Sequence, residues 1–271
     1  MTDPHANGAP VERGSRIDVL GNGYVRLVDW MGDDLSVANA ARASYMKESN
    51  TLRPADERLI AFLSEHEHFS PFRHAMVQLE IKAPLMVARQ WFKYRVGAAH
   101  TPDTAELLGI EIPESLLWQG QGDDGGSGWG DLTQGRNESS RRYVTLPPEF
   151  HVPAADDWRG APVHRKQGSG GTVPLSVGIA ATRRLFVLLD RCEHEYEWAL
   201  EHGICAEQAR LFLPAYGLMT VWRWTASIQA VAHFLKQRLS EDAQAEIQQY
   251  AVAVRDLTLP LFPHSLRRLL A

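Results

Sequence analysis

The segment Ser176 to His202 constrains this chain most, because Ile179, Leu185, Leu188, Leu189, Cys192, Tyr196 and Leu200 recur at helical spacing along one stripe. Gly203 follows as a natural terminator. A helix of this kind needs something to pack against, and the rest of the chain offers both strands and helices. Ile17 to Trp30 alternates apolar and polar residues around Gly21-Asn22-Gly23, which predicts a hairpin. Asp34 to Ala43 predicts a helix with Asp33 or Asp34 as its cap, and Asp56 to His66 a second, ended before Pro71-Phe72. A strand pattern starts at Met76, Leu79 and Ile81 and stops at Pro84. Leu85 to Tyr94 is helix-like, with Gln90, Lys93 and Tyr94 on one face. Tyr143 to Leu146 predicts a strand, Ala206 to Leu211 a helix and Tyr216 to Arg223 a strand. Ser227 to Arg238 and Asp242 to Leu257 predict two more helices before a break at Pro260.

A chain of 271 residues can bury a substantial core, and the expected organisation is a single domain from residue 15 to 271. Residues 1–14 are polar and rich in Pro and Gly, without the layout of a signal peptide, and are expected to be a disordered arm. Two irregular segments, near 96–136 and 154–171, are expected to be insertions; the glycine-rich part from Trp118 to Gly135 is either a lid or a passive loop. A net charge of −5 argues against a general nucleic-acid-binding surface. Cys192 and Cys205 are too few for a disulfide framework, so the expected compartment is the cytoplasm. No run approaches the roughly 20 apolar residues that span a bilayer.

The chemistry concentrates in Asn137-Glu138-Ser139-Ser140-Arg141-Arg142-Tyr143. Two guanidiniums, two hydroxyls, an amide and a carboxylate are too many polar groups to bury without a polar ligand. Arginine forks take phosphate oxygens in pairs, and Glu138 accepts from a hydroxyl or ring N–H, so a phosphorylated small molecule would suit. The alternative is a solvated turn leading into a strand.

A second segment, Ala88-Arg89-Gln90-Trp91-Phe92, joins it in a pattern that resembles the flavin-dependent thymidylate synthases, the ThyX family. Lys93-Tyr94-Arg95 stands where that family has Arg-His-Arg. Further matches run in order: Ala41-Arg42-Ala43-Ser44, His68-x-Ser70-Pro71-Phe72-x-His74, Glu207-x-x-Arg210-x-x-Leu213-Pro214, His233-Phe234-Leu235-x-x-Arg238, and Glu246-Ile247-Gln248-Gln249-Tyr250. The resemblance implies an α+β fold, a largely antiparallel sheet flanked by helices, in a homotetramer with sites shared between subunits. It implies conversion of dUMP to dTMP with FAD, and with NADPH and methylenetetrahydrofolate as cosubstrates.

Position by position, the resemblance places Gln90, Lys93, Glu138, Ser140, Arg142, Arg210 and Arg238 on the nucleotide. Arg142 and Arg210 would serve its phosphate, Ser140 would sit beside the uracil, and Arg238 would act on the ring as charge develops there. It places Ser44, His68, Ser70, Lys93, Tyr94, Arg95, Glu138, Ser227, Gln229 and His233 on the flavin side; Ser227 and Gln229 stand where the family typically has Asn and Arg. Trp118, Trp129 or Arg136 would compensate for altered flavin contacts. Two other functions stay open: a UMP C5-methylase of nucleoside-antibiotic biosynthesis, and a non-catalytic nucleotide-binding homologue. His66, His68 and His74 do not form a recognised metal spacing, and no metal is expected. Trp91 and Tyr143 are expected to pack, and Arg89 to form a buried ion pair.

Overall fold

A computed structural model describes residues 10–92, 135–139, 147–162 and 168–271. Its centre is a five-stranded sheet in the order β1-β2-β3-β5-β4, each neighbouring pair antiparallel. The expected hairpin forms from β1 (Arg16–Val19) and β2 (Gly23–Met31). Leu20 and Gly21 take positive φ at its turn. Gly23 is required by a close approach: a Cβ there would collide with the Tyr250 hydroxyl. β3 (Met76–Pro84) pairs along its whole length with β5 (Met219–Ser227). Short β4 (Gly135–Glu138) closes the far edge against β5. The sheet is thus antiparallel, as the resemblance implied.

Alternation decides which face is buried. Val77, Leu79, Ile81 and Ala83 of β3 point into the core with Val25 and Leu27 of β2 and Trp222, Trp224 and Ala226 of β5. Tyr24, Arg26 and Arg223 project around Glu80 on the other face, where Arg26 pairs with it at 2.8 Å and Arg223 at 3.3 Å. Burial alone would raise the Glu80 pKa, but its bonds from Arg26 and Tyr24 pull the carboxyl below its ordinary value.

Helices cover the apolar face. α1 (Asp34–Arg42) starts at Asp33, whose carboxylate accepts from Ser36 N at 2.8 Å. α2 (Pro54–Glu65) and α3 (Leu85–Trp91) follow. α6 (Ile228–Arg238) and α7 (Ala245–Thr258) pack on the sheet, and α8 (Pro263–Leu270) packs against α2 and α6. Trp91 is 2% exposed and stacks on Phe234 at 4.2 Å between the edges of Trp222 and Trp224. It is a packing residue, as expected.

The long helix, α4 (Leu175–Glu201), forms a smaller core with α5 (Ala206–Ala209) through Tyr196, Ala199, Ala209 and Leu213. Only part of the predicted stripe is buried: Leu189 and Tyr196 face inward, but Ile179 and Leu188 are exposed. Helical spacing identifies a face but not its cover, and no described element lies over these two. Arg89 corrects the sequence reading too, being exposed with no ion pair among the described residues.

Pro10–Gly14, assigned to the arm by composition, are ordered against β2: Gly14 N donates to Leu27 O at 2.8 Å and Arg13 pairs with Asp29 at 2.6 Å. The described part of 154–171 is likewise fixed. Arg159 bridges to Thr172, Trp158 Nε1 donates to Thr182 Oγ1 at 2.8 Å, and a Cβ on Gly178 of α4 would run into Ala155 O.

Candidate functional site

The candidate residues fall at three places. At one end of the sheet, a 3-10 turn over Ser70–Arg73 packs between α1 and α6. Arg42 of the early motif is turned inward, where it pairs with the wholly buried Asp56 and donates to Ser49 Oγ at 2.8 Å. Ser44, in the 3-10 turn following α1, is exposed, as are His68 and Ser70. Ser227 is 0% exposed and caps α6, accepting from Ala230 N at 3.3 Å. Gln229, 3% exposed, accepts from Arg73 Nε at 2.7 Å. The Gln229 amide nitrogen is buried without a hydrogen bond, and His233 lies one turn further along α6, half-buried. A flavin's carbonyl and pyrophosphate oxygens are acceptors of the kind that satisfy such a donor, and the hydroxyl and imidazole groups alongside suit the same ligand. The donor set fits the group.

At the other end of α6 stands Arg238, half-buried. Gln90 comes to the same end. Its Nε2 donates to Gln244 Oε1 at 2.5 Å, and Gln244 caps α7 six positions beyond Arg238. Gln244 Nε2 donates in turn to Glu246 Oε2 at 2.8 Å, and Arg159 Nη2 to Glu246 Oε1 at 2.5 Å. Burial pushes the Glu246 carboxyl up, but the bonds from Arg159 and Gln244 outweigh it and hold it below its ordinary range. Arg159, Gln244 and Glu246 line a cavity of about 650 Å³ with Met86, Trp158, Leu189, Tyr216 and His151. Burial pushes the His151 imidazole below its usual value despite the nearby Glu246 charge. Trp158, Arg159, Gln244 and His151 were not singled out by sequence reasoning; Glu246 was, but only as a motif member.

The third place is dispersed. Glu138 is exposed on edge strand β4 and accepts from Thr220 Oγ1 at 2.7 Å. Beside it, the Arg136 guanidinium lies 3.8 Å above the Phe92 ring. Arg210 belongs to the α4–α5 side, exposed, its Nε donating to Glu207 O at 3.1 Å within its own turn. Lys93, Tyr94, Arg95, Ser140 and Arg142 lie outside the described residues, as do Trp118, Trp129 and the strand expected at Tyr143–Leu146.

An antiparallel sheet covered by helices, one of which carries candidate groups at both of its ends, defines an α+β protein. Comparison with known proteins makes this specific. The family model described as thymidylate synthase complementing protein matches residues 26–104 and 133–264. A flavin-dependent thymidylate synthase of Thermus thermophilus is 34% identical, covering 91% of this chain and 75% of the relative. Another, from Thermosipho melanesiensis, is 33% identical over 87% of this chain and 85% of its own length. Among solved structures, the UMP/dUMP methylase PolB from Streptomyces cacaoi bound with 5-Br dUMP superposes with a TM-score of 0.69. It is 25% identical, covering 91% of this chain and 94% of that one. The chain belongs to the ThyX family, the flavin-dependent thymidylate synthases.

Proposed function

We propose that the protein methylates C5 of dUMP to give dTMP, using FAD, with methylenetetrahydrofolate as one-carbon donor and NADPH as reductant, in the cytoplasm. The observation that carries this reading is that the two matched blocks, 26–104 and 133–264, together contain every residue that the family motifs place on the nucleotide or the flavin. Curated relatives named flavin-dependent thymidylate synthase support it further. Bound FAD supplies the hydride chemistry, and the protein binds, orients and stabilises charge.

Ser44, His68, Ser70, Lys93, Tyr94, Arg95, Glu138, Ser227, Gln229 and His233 hold the flavin in this reading. Arg142 and Arg210 clamp the phosphate, with Lys93, Gln90, Glu138 and Ser140 along the nucleoside. Arg238 places its guanidinium against the negative charge that accumulates on the pyrimidine. The test is tritium release from C5-labelled dUMP by purified, FAD-loaded protein with NADPH and methylenetetrahydrofolate. No release overturns the reading. Running UMP in parallel separates it from a UMP methylase, the activity named alongside dUMP for the Streptomyces cacaoi protein.

Sites shared between subunits of a homotetramer belong to the same proposal. Arg210 and Arg238 lie on different packing units of one protomer. α4 exposes Leu175, Val177, Ile179, Phe186, Val187 and Leu188, apolar side chains of the kind that symmetric assemblies cover. Co-assembled Arg210→Ala and Arg238→Ala protomers should recover turnover that each variant lacks alone, since some sites then receive both arginines. No recovery would place both on one chain.

A further inference from the structure

Four polar side chains from three separate parts of the sequence form a one-directional relay ending at Gln90. Arg159 has only donors, and it meets Glu246, which as a carboxylate has only acceptors. Glu246 therefore obliges Gln244 to turn its NH2 group toward it, as the 2.8 Å bond shows. The carbonyl of Gln244 is then the group left for Gln90, so Gln90 must present its own NH2, at 2.5 Å. The same NH2 also reaches Met86 O at 3.3 Å, which reinforces that orientation. Among the described residues nothing donates to the Gln90 carbonyl oxygen, and it is the acceptor that remains for a ligand.

We infer that Arg159, Glu246 and Gln244 are positioning residues that fix Gln90 with its carbonyl outward, so that Gln90 selects a donor group on the nucleotide. This rests on the proposed assignment of Gln90 to the nucleotide and deepens it. The selected donor is the pyrimidine N3–H or a ribose hydroxyl; phosphate oxygens, being acceptors, are excluded at this atom. An amide has a donor end and an acceptor end of nearly equal size, so only its neighbours decide which end the ligand meets. The Arg159–Glu246 pair, at the border of the 154–171 segment, supplies that decision. A short polar segment far from Gln90 in sequence thereby reaches Gln90 through two intermediates.

The relay can be reversed by one substitution. In E246Q, Arg159 still donates to the carbonyl of residue 246, whose new NH2 then faces Gln244. Gln244 turns over, Gln90 turns over, and an NH2 now faces the ligand. Titration calorimetry of dUMP with the full-length, FAD-loaded protein should show binding weakened by about ten- to a hundredfold, the effect of setting two donors against each other. Adding Q90E to E246Q restores an outward acceptor and supplies another to the reversed Gln244 NH2, at the loss of the 3.3 Å bond to Met86 O, and should regain most of the lost affinity. A merely structural role for Glu246 predicts no such rescue.

N3-methyl-dUMP and 2′,3′-dideoxyuridine monophosphate identify the donor: one of them should bind the native protein less well than dUMP, and that penalty should vanish in E246Q. Equal native binding of all three ligands would overturn the proposal. So would an unchanged dUMP affinity in E246Q while Gln90→Ala weakens it, which spares the nucleotide assignment. Unchanged affinity in Gln90→Ala removes Gln90 from the nucleotide and takes the proposal with it. Should E246Q fail to fold, as read by its melting transition, Gln244→Met breaks the relay without a charge change. It should then give a smaller loss with no discrimination between the analogues, and native affinity with native discrimination would overturn the relay.

Discussion

Trp91 and Phe186 are both large apolar residues on helices, yet Trp91 is 2% exposed inside a cage of rings and Phe186 is 58% exposed on α4. Around Trp91, sheet residues at alternate positions and helix residues from α6 and α7 complete one another within a single protomer. Around Phe186, the helix buries Gly178, Leu189, Tyr196 and Ala199 among the described residues and turns several apolar side chains outward. One region of this protein thus has a core that closes on itself, while another has more apolar surface than the described residues of its own chain cover. Substitutions should therefore act on folding in the first and on assembly in the second.

The heaviest loss is expected at the cage itself. Trp91→Ala should lower unfolding stability by about 3–5 kcal/mol, because the surrounding rings cannot collapse into the space left. Urea titration measures it, and a loss below about 1 kcal/mol would show that the cage does not hold α3 to the sheet. Next comes Asp34, buried at the start of α1, which accepts from the backbone of His264 and Ser265 at 2.8 Å each and so ties α1 to α8. Asp34→Ala leaves two buried N–H groups unmet and should destabilise by about 1.5–3 kcal/mol in the same titration.

A smaller effect should appear where the two regions join, at Arg159 and Glu246. The Glu246 carboxyl is held below its ordinary range in the folded protein. Its contribution is therefore full above the unfolded carboxylate range and lost as pH falls through the folded value. Melting curves from about pH 6 to pH 3 should fall more gently in Arg159→Met, which starts less stable at neutral pH, than in the native protein. Parallel curves would mean that the pair contributes nothing at the seam. The least change in folding, and the most in assembly, belongs to α4. Phe186→Glu with Val187→Glu should leave protomer stability within about 0.5 kcal/mol while lowering the mass seen by light scattering. An unchanged mass would show that this face is not an interface.

Local rules made much of the sheet region legible. Gly21-Asn22-Gly23 marked the hairpin, Asp33 the cap of α1, Pro84 the end of β3, and Ser227 the start of α6, because each acts on its own neighbours. α8 was missed because Pro260 was read as an ending, whereas Pro263 sits in the first turn of a new helix. β5 begins three residues later than predicted, since Ala215–Gly217 form a 3-10 turn first. The exposure of Ile179 and Leu188 depends on tertiary surroundings that periodicity does not report. Motif positions of the candidate site were readable as a set, but the bond between Gln90 and Gln244 joins residues 154 positions apart and has no local signature.

The length of α6 limits how this protein can vary. The helix carries Gln229 near one end, His233 at its middle and Arg238 at the other end, and its 11 residues run unbroken from the Ser227 cap. From Gln229 to Arg238 it therefore works as a measuring rod of about 13.5 Å, at 1.5 Å per residue, between candidate ligand positions. One residue added between them would carry Arg238 about 1.5 Å onward and change its angle to Gln229 by about 100° around the axis. Loops elsewhere can lengthen without disturbing that distance, but this stretch has its length and its phase set together.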